Sequence, residues 1–393
     1  MDRKIAILLL TIFIDLLGFG IVIPILPNYA KELGGSAMWT GIISGVYALC
    51  AFISTPTWGA LSDRYGRRPL LLGTILFSTV AYILFAFSTT LLILFISRVI
   101  AGLGSGNIGV AQAYISDVTA PEKRTKTMGL IGAAFGMGFI LGPPIGGFIA
   151  ADLGFAWIGY ITAMLCVLNF ILAYFLLDES LVEKKIKKIQ IIPWKEFKNH
   201  FAVKQRASIF IYNFLYVTAF SMFQITATLL WEDKYGYNEK QRGYLFMFIG
   251  LCSAIVQGGL IATFKKVFTE KKLIFFGSIL MGVSILSIPF MSKNMFIPFQ
   301  LIALGVMTIA NGAIGPSVLS TLSLTAVSNE QGSLMGVHQS IGALARFAGP
   351  LLGSMLYAFD LHMPYVIACI ILISCLLLIQ QMFQVNTQQE SAA

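Results

Sequence analysis

Residues 11–27 read TIFIDLLGFGIVIPILP, an apolar run with one carboxylate, Asp15, near its middle. Nothing close in sequence solvates or neutralises that group, so its meaning depends on what surrounds the segment. Over the 393-residue chain 57% of residues are hydrophobic and only 11% are charged, with a mean hydropathy of +0.82. Soluble domains carry about 25% charged residues. This much apolar surface belongs in a bilayer. Backbone amides left bare in lipid are too costly, so spans are helices or closed barrels. Barrel strands alternate polar and apolar residues over about ten positions. Here the runs are continuous and about twenty residues long, the length that crosses a ~30 Å hydrocarbon core. The expected class is an all-α integral membrane protein.

Twelve apolar segments are expected as spans: 5–27, 40–61, 70–88, 90–113, 127–151, 155–177, 207–230, 243–264, 273–291, 295–319, 332–358 and 363–383. The first is too long for a cleavable leader and lacks a small-residue cleavage site, so it counts as a span. Between the sixth and seventh lies DESLVEKKIKKIQIIPWKEFKNHFAVKQR, read as a basic linker with the makings of an interfacial amphipathic helix. The division is therefore residues 1–177, linker 178–206 and residues 207–393. The five cysteines all lie inside apolar runs, with neither a disulfide framework nor a metal spacing.

Basic residues set orientation. The face holding the N-terminus carries twenty: Arg3, Lys4, Arg64, Arg67, Arg68, Lys123, Arg124, Lys126, eight between 184 and 206, and Lys265, Lys266, Lys271 and Lys272. The other face carries five: Lys31, Lys234, Lys240, Arg242 and Lys293. This expects both termini and the linker in the cytoplasm. Arg98 and Arg346 fall inside spans.

The fifth span contains MGLIGAAFGMGFILGPPIGG and the eleventh MGVHQSIGALARFAGPLLGS. Met128-Gly129 aligns with Met335-Gly336, and Gly142-Pro143 with Gly349-Pro350, at a constant offset of 207 residues. Duplicated six-helix halves are a transporter architecture with the substrate site at their interface.

After the second span comes GALSDRYGRRPL. Gly59 and Gly66 suit tight turns and close backbone approach, and Pro69 is placed to open the next helix. Asp63 is expected near the cytoplasmic ends of helices that start on that face, the eleventh included, where a helix dipole favours an anion by roughly 0.3–1 kcal/mol when exposed. Asp117, at the end of the fourth span, is available to one of the loop arginines.

With these motifs the chain resembles the major facilitator superfamily, and within it the twelve-helix drug–proton antiporters. The family loop G-x-L-x-D-R-x-G-R-R is matched by Gly59, Leu61, Asp63, Arg64, Gly66, Arg67 and Arg68. The fourth-helix motif is matched by Arg98, Gly102 and Gly106, the fifth-helix antiporter motif by Gly138, Gly142, Pro143, Gly146 and Gly147, and the first-helix P-x-x-P by Pro24 and Pro27. The look is most like tetracycline efflux proteins, although the acidic residues those carry in the third and ninth helices are missing here. The loop between the eighth and ninth spans, TFKKVFTEKK, also lacks the Asp-Arg-Gly framework. The resemblance implies a latch around Asp63 that stabilises the outward-facing state. It also implies a fifth helix that biases the protein toward export; ordinary small-residue packing accounts for the same glycines.

Taken from Ile5 to Leu26, the first span is about 33 Å long at 1.5 Å per residue, which puts Asp15 halfway across. A charge there costs ~2.5–3.5 kcal/mol. In the superfamily fold the first and fourth helices face one cavity, so Asp15 and Arg98 are expected to pair, as a proton-sensitive switch or as a static packing pair. Arg346 has no deep acidic partner in its half, although Asp15 is within reach across the cavity; otherwise it binds an anionic part of the substrate, meets helix carboxyl ends or snorkels. His338 reads as a packed residue rather than a second proton site. Asn107, Gln224, Gln257, Asn311 and Gln339, with Asp15 and Arg346, are candidates to line the substrate cavity.

The expected function is a proton-coupled exporter of amphipathic small molecules, a drug-efflux and antibiotic-resistance protein of the bacterial inner membrane. It would act as a monomer with no nucleic acid, no metal and no cofactor beyond the proton gradient. The competing reading is a same-fold importer, facilitator or exporter of a dedicated metabolite such as a sugar, amino acid, siderophore or lipid-like solute. No nucleotide-binding loop or nucleophile–base pair points to an enzyme.

Overall fold

The computed structural model describes residues 3–119, 121–181, 194–292, 296–326 and 330–383. Every regular element among them is helical. In the first half these are α1 (Arg3–Val22), the short α2 (Leu26–Glu32), α3 (Ala37–Tyr65), α4 (Arg67–Ala86), α5 (Leu91–Leu103), α6 (Asn107–Val118), α7 (Pro121–Leu153) and α8 (Phe155–Leu176). The short α9 (Trp194–Phe201) precedes α10 (Lys204–Asp233) and α11 (Glu239–Ile255). A π-helical turn at Val256–Leu260 leads into α12 (Ile261–Val267), followed by α13 (Glu270–Ser287), α14 (Phe296–Ser323), α15 (Gln331–Phe359), α16 (Met363–Ser374) and α17 (Leu376–Met382).

Among the described residues, ten helical segments are long and apolar enough to cross a membrane. α7 and the continuous run from α11 to α12 reach comparable lengths and pack in the same bundle. Large apolar side chains such as Phe175, Phe276, Phe359 and Leu377 lie exposed on the outside, as a lipid-facing surface requires.

The expected spans differ from the helices where backbone chemistry intervenes. Pro24 cannot donate to the α1 ladder, so α1 ends at Val22 and the chain turns into α2, which has Pro27 at its start. The fourth span is two helices joined by a turn at 104–106. The stretch expected as a loop after the second span is helical: α3 runs to Tyr65, α4 starts at Arg67, and the corner is Gly66 alone, at φ +115°. Gly59 therefore serves no turn. It sits inside α3 with open space where a Cβ would stand. Nor do Pro143 and Pro144 interrupt α7, which stays α-helical through both. In the linker, α9 is amphipathic and docks on the second half, where His200 Nε2 meets Ser333 Oγ at 2.9 Å and Arg206 Nη1 meets Glu330 Oε2 at 3.0 Å.

Three buried apolar clusters form the interior, and none mixes the halves. Two use residues up to Leu177, and the third uses residues from Ile209 on, around Tyr212, Trp231 and Tyr365. The 207-residue repeat reappears as packing. A Cβ on Gly142 of α7 would stand 2.6 Å from the backbone of Gly20 in α1, and one on Gly349 of α15 would stand 2.7 Å from Thr218 O in α10. Each half thus presses its fifth long helix onto its first through glycine.

Candidate functional site

Asp15 lies in the middle of α1, half-buried. Ser78 Oγ of α4 donates to its Oδ1 at 3.4 Å, and Asn107, the first residue of α6, is also hydrogen-bonded to it. Both partners are neutral and both belong to the first half.

The expected ion pair between Asp15 and Arg98 is not formed in this conformation. Arg98 is 4% exposed and stacks against the rings of Phe85 and Tyr82, with its guanidinium carbon 5.0 and 5.6 Å from their centroids. Its Nε reaches Ser97 Oγ at 3.3 Å, and one terminal nitrogen has no partner. The Tyr82 hydroxyl abuts Gly18, one turn from Asp15, so Tyr82 stands beside both charges. Ring faces offset part of the cost of burying a guanidinium. Sequence reasoning missed this cage, because Tyr82 and Phe85 read as ordinary apolar positions of the third span.

The remaining cavity candidates separate. Asn107 is fully buried beneath Asp15. Asn311 accepts the hydroxyl of Tyr216 and belongs to the interior of the second half. Gln224 is half-buried, and Gln339 and Arg346 are exposed, although α15 is wedged between α3 and α10. Those two side chains therefore face the space between the halves. His338 is half-buried with Nδ1 unpartnered. The Gln257 side chain lies outside the described residues.

At the basic face the loop motif closes on its own half. Arg67, 8% exposed, meets Asp63 at 2.6 Å, Asp117 at 3.1 Å and Ser62 Oγ at 2.6 Å. Asp63 therefore pairs with Arg67, and among the described residues no ion pair or hydrogen bond joins it to α15. Glu179 accepts the backbone N–H groups of Arg67 and Arg68 at 2.8 and 3.3 Å, filling the place a Cβ on Gly66 would take. It caps the positive end of α4, a role hidden in what reads as the start of a linker. Arg68 donates to Tyr174 O at 2.6 Å, and Arg64 lies over Tyr65.

The opposite face joins the halves. Lys31 Nζ lies 2.6 Å from Asp233 and 3.4 Å from Glu232, and Lys240 Nζ lies 2.5 Å from Asp152. Arg242 braces Glu232 at 2.6 Å and Glu239 at 2.8 Å. Backbone contact accompanies the charges. A Cβ on Gly147 of α7 would stand 2.6 Å from Glu239 O in α11, and one on Gly45 of α3 would stand 2.8 Å from Phe347 O in α15. Gly138, Gly142 and Gly146, from the same motif as Gly147, pack on α1 instead. Toward the basic face the halves part around a cleft of about 160 Å³, lined by Pro56, Glu196, Ser333, Gly336, Val337 and Ser340.

Comparison with known proteins places this geometry. The sequence profile of the Major Facilitator Superfamily matches residues 8–350. The chain is 30% identical to tetracycline resistance protein, class C, of Escherichia coli, over 91% of this chain and 90% of that protein. It is 27% identical to multidrug resistance protein 2 of Bacillus subtilis strain 168, over 93% and 92%. Its fold is similar to the crystal structure of the human organic anion transporter MFSD10 (TETRAN), with TM-score 0.71 and 23% identity over 96% of this chain and 99% of that one. It is also similar to the nucleoside transporter NupG, with TM-score 0.80 and 12% identity over 98% and 100%.

Proposed function

Because the chain belongs to the Major Facilitator Superfamily, we propose that it is a proton-coupled secondary transporter that exports amphipathic small molecules across a bacterial inner membrane by alternating access. The observation that carries this reading is Asp15: a mid-membrane carboxylate bonded to Ser78 and Asn107, with no cation against it among the described residues. Such a group is cheaper protonated than charged. When it loses its proton, the nearby Arg98, with a free terminal nitrogen, offers the compensating charge. Pairing with Arg98 would pull α1 toward α5, and protonation would release it. One carboxylate thereby links proton uptake to the choice of open face, a coupling between two binding equilibria. The separated pair observed here fits the protonated arm of that cycle.

In this reading two six-helix bundles, 1–177 and 207–393, rock about linker 178–206, with the basic face and both termini in the cytoplasm. The protein is a monomer in the lipid bilayer, uses only the proton gradient and is no enzyme. The similarity to tetracycline and multidrug resistance proteins supports drug-like substrates. The test is a susceptibility panel in bacteria stripped of their own efflux pumps. Wild type is expected to confer resistance to amphipathic compounds, and Asp15→Asn to lose it at equal expression while still binding substrate. Equal sensitivity of wild type and empty vector across the panel would discard drug export in favour of a dedicated metabolite.

A further inference from the structure

We propose that Arg346 is the anion-recognition group of the space between the halves, so that the transported solutes carry an oxyanion (carboxylate, sulfonate or phosphate) on an apolar body. The proposal rests on the transporter reading and names the substrate class of that site. Arg346 stands near the midpoint of α15. Its side chain is exposed even though α3 and α10 flank its helix, so it faces the inter-half space.

What sets Arg346 apart is the lack of any compensating group. Among the described residues, the buried arginines Arg67, Arg206 and Arg242 each meet a carboxylate, and Arg98 lies over two aromatic rings. Arg346 has neither. Asp15, the one deep carboxylate available, is engaged by Ser78 and Asn107. An unpaired cation at this depth is costly and marks a ligand path.

The groups nearby are rich in donors. The position a Cβ on Gly342 would take is 3.4 Å from Arg346 Nη1 and 3.8 Å from Asn213 Nδ2, which brings the guanidinium and the amide of α10 to one spot. Gln339 is exposed two turns earlier on the same face of α15. From the other half comes Tyr47, within electrostatic range of Arg346, with its ring 5.1 Å from that of Phe19. A planar guanidinium, amide N–H groups and a phenol are the donors an oxyanion takes, and the adjoining rings accept an apolar body. Because Tyr47 and Arg346 come from different halves, a solute held by both would feel the halves move.

The test uses a matched fluorescent pair, 1-anilinonaphthalene-8-sulfonate and the uncharged N-phenyl-1-naphthylamine. Each is titrated against the purified full-length protein in phosphatidylcholine-supplemented detergent, with empty micelles subtracted. The expected result is that Arg346→Gln weakens sulfonate binding by about tenfold or more and leaves the uncharged amine unchanged. Arg346→Lys, which keeps the charge but loses the fork, should fall between and serves if the Gln variant does not fold. Equal weakening of both probes, or of neither, overturns the proposal. So does displacement of the sulfonate by added phosphatidylglycerol, which would make a lipid headgroup the occupant. Efflux of 1-anilinonaphthalene-8-sulfonate by wild type from loaded proteoliposomes, measured in parallel, reports on export alone: its absence would remove the export reading while the charge-selective site stood.

Discussion

The two ends of the molecule are built from the same kinds of residue and do opposite things. At the opposite face, Lys31, Lys240, Asp152, Glu232 and Asp233 reach across the halves, with glycine-to-backbone contacts beneath them. At the basic face, Asp63, Arg67, Asp117 and Glu179 make an equally dense network, but every bond stays within the first half and the start of the linker. One end is a clasp between bodies, and the other is a brace inside one body. The conformation is therefore closed at the opposite face and parted at the basic face. The alternating access proposed above would require these roles to exchange, with the clasp broken and Asp63 freed to meet the second half.

The largest effect expected from disturbing this asymmetry is at Asp63. Asp63→Asn removes the only latch proposed for the other state while sparing the clasp. Transport should fall by more than about tenfold with normal expression. Spin labels at Met38 and Phe359, on the two halves at the opposite face, should then report the short distance alone. Normal transport would refute the latch. A moderate effect is expected from Lys31→Ala with Lys240→Ala. Exposed pairs contribute about 0.2–1 kcal/mol each, so the same labels should show the closed-to-open ratio falling by roughly 1.4- to fivefold per pair. The Asp233 bond holds the Lys31 ammonium above its ordinary range, so the ammonium stays charged through neutral pH and gives up its proton only in strong alkali. An unchanged distance distribution would mean that the glycine contacts alone close that end.

The smallest effect concerns α9. Burial, and then the Arg206 charge, depress the proton affinity of His200 below its ordinary 6.5. A depressed value means that the undocked helix takes up a proton the docked one resists. Docking is therefore full above pH 6.5 and weakens as pH falls from there toward the docked value, by at most about tenfold per pH unit. Emission from the exposed Trp194 between pH 7.5 and 5.5 should follow this, and His200→Gln should flatten it. A pH-independent signal in wild type would show that the apolar contacts of Phe197 and Phe201 hold the helix without help from His200.

Much of this was legible in residues alone. Continuous apolar runs demand helices because lipid offers the backbone no hydrogen bonds. The repeat of Met-Gly and Gly-Pro at one offset marked the pair of long helices that press by glycine on the first helix of each half. A lone Asp15 in an apolar run announced its own importance by the cost of charge there. The partners of those residues were not legible, because pairing depends on which helix faces turn toward one another and on which end is shut. Periodicity does not encode either. Arg98 thus reads as the natural mate of Asp15, yet rests between Tyr82 and Phe85. Asp63 reads as a cap for the eleventh span, yet binds Arg67. Gly59 reads as a turn and lies inside a helix, since Gly66 alone, with its positive φ, makes the corner. Composition and spacing determined that this chain is a helical membrane bundle of two related halves carrying three deep charges. Only the tertiary structure decided which of those charges are compensated: Asp15 by neutral donors, Arg98 by rings and Arg346 by nothing among the described residues. Compensation is a matter of a few ångströms between helices far apart in sequence.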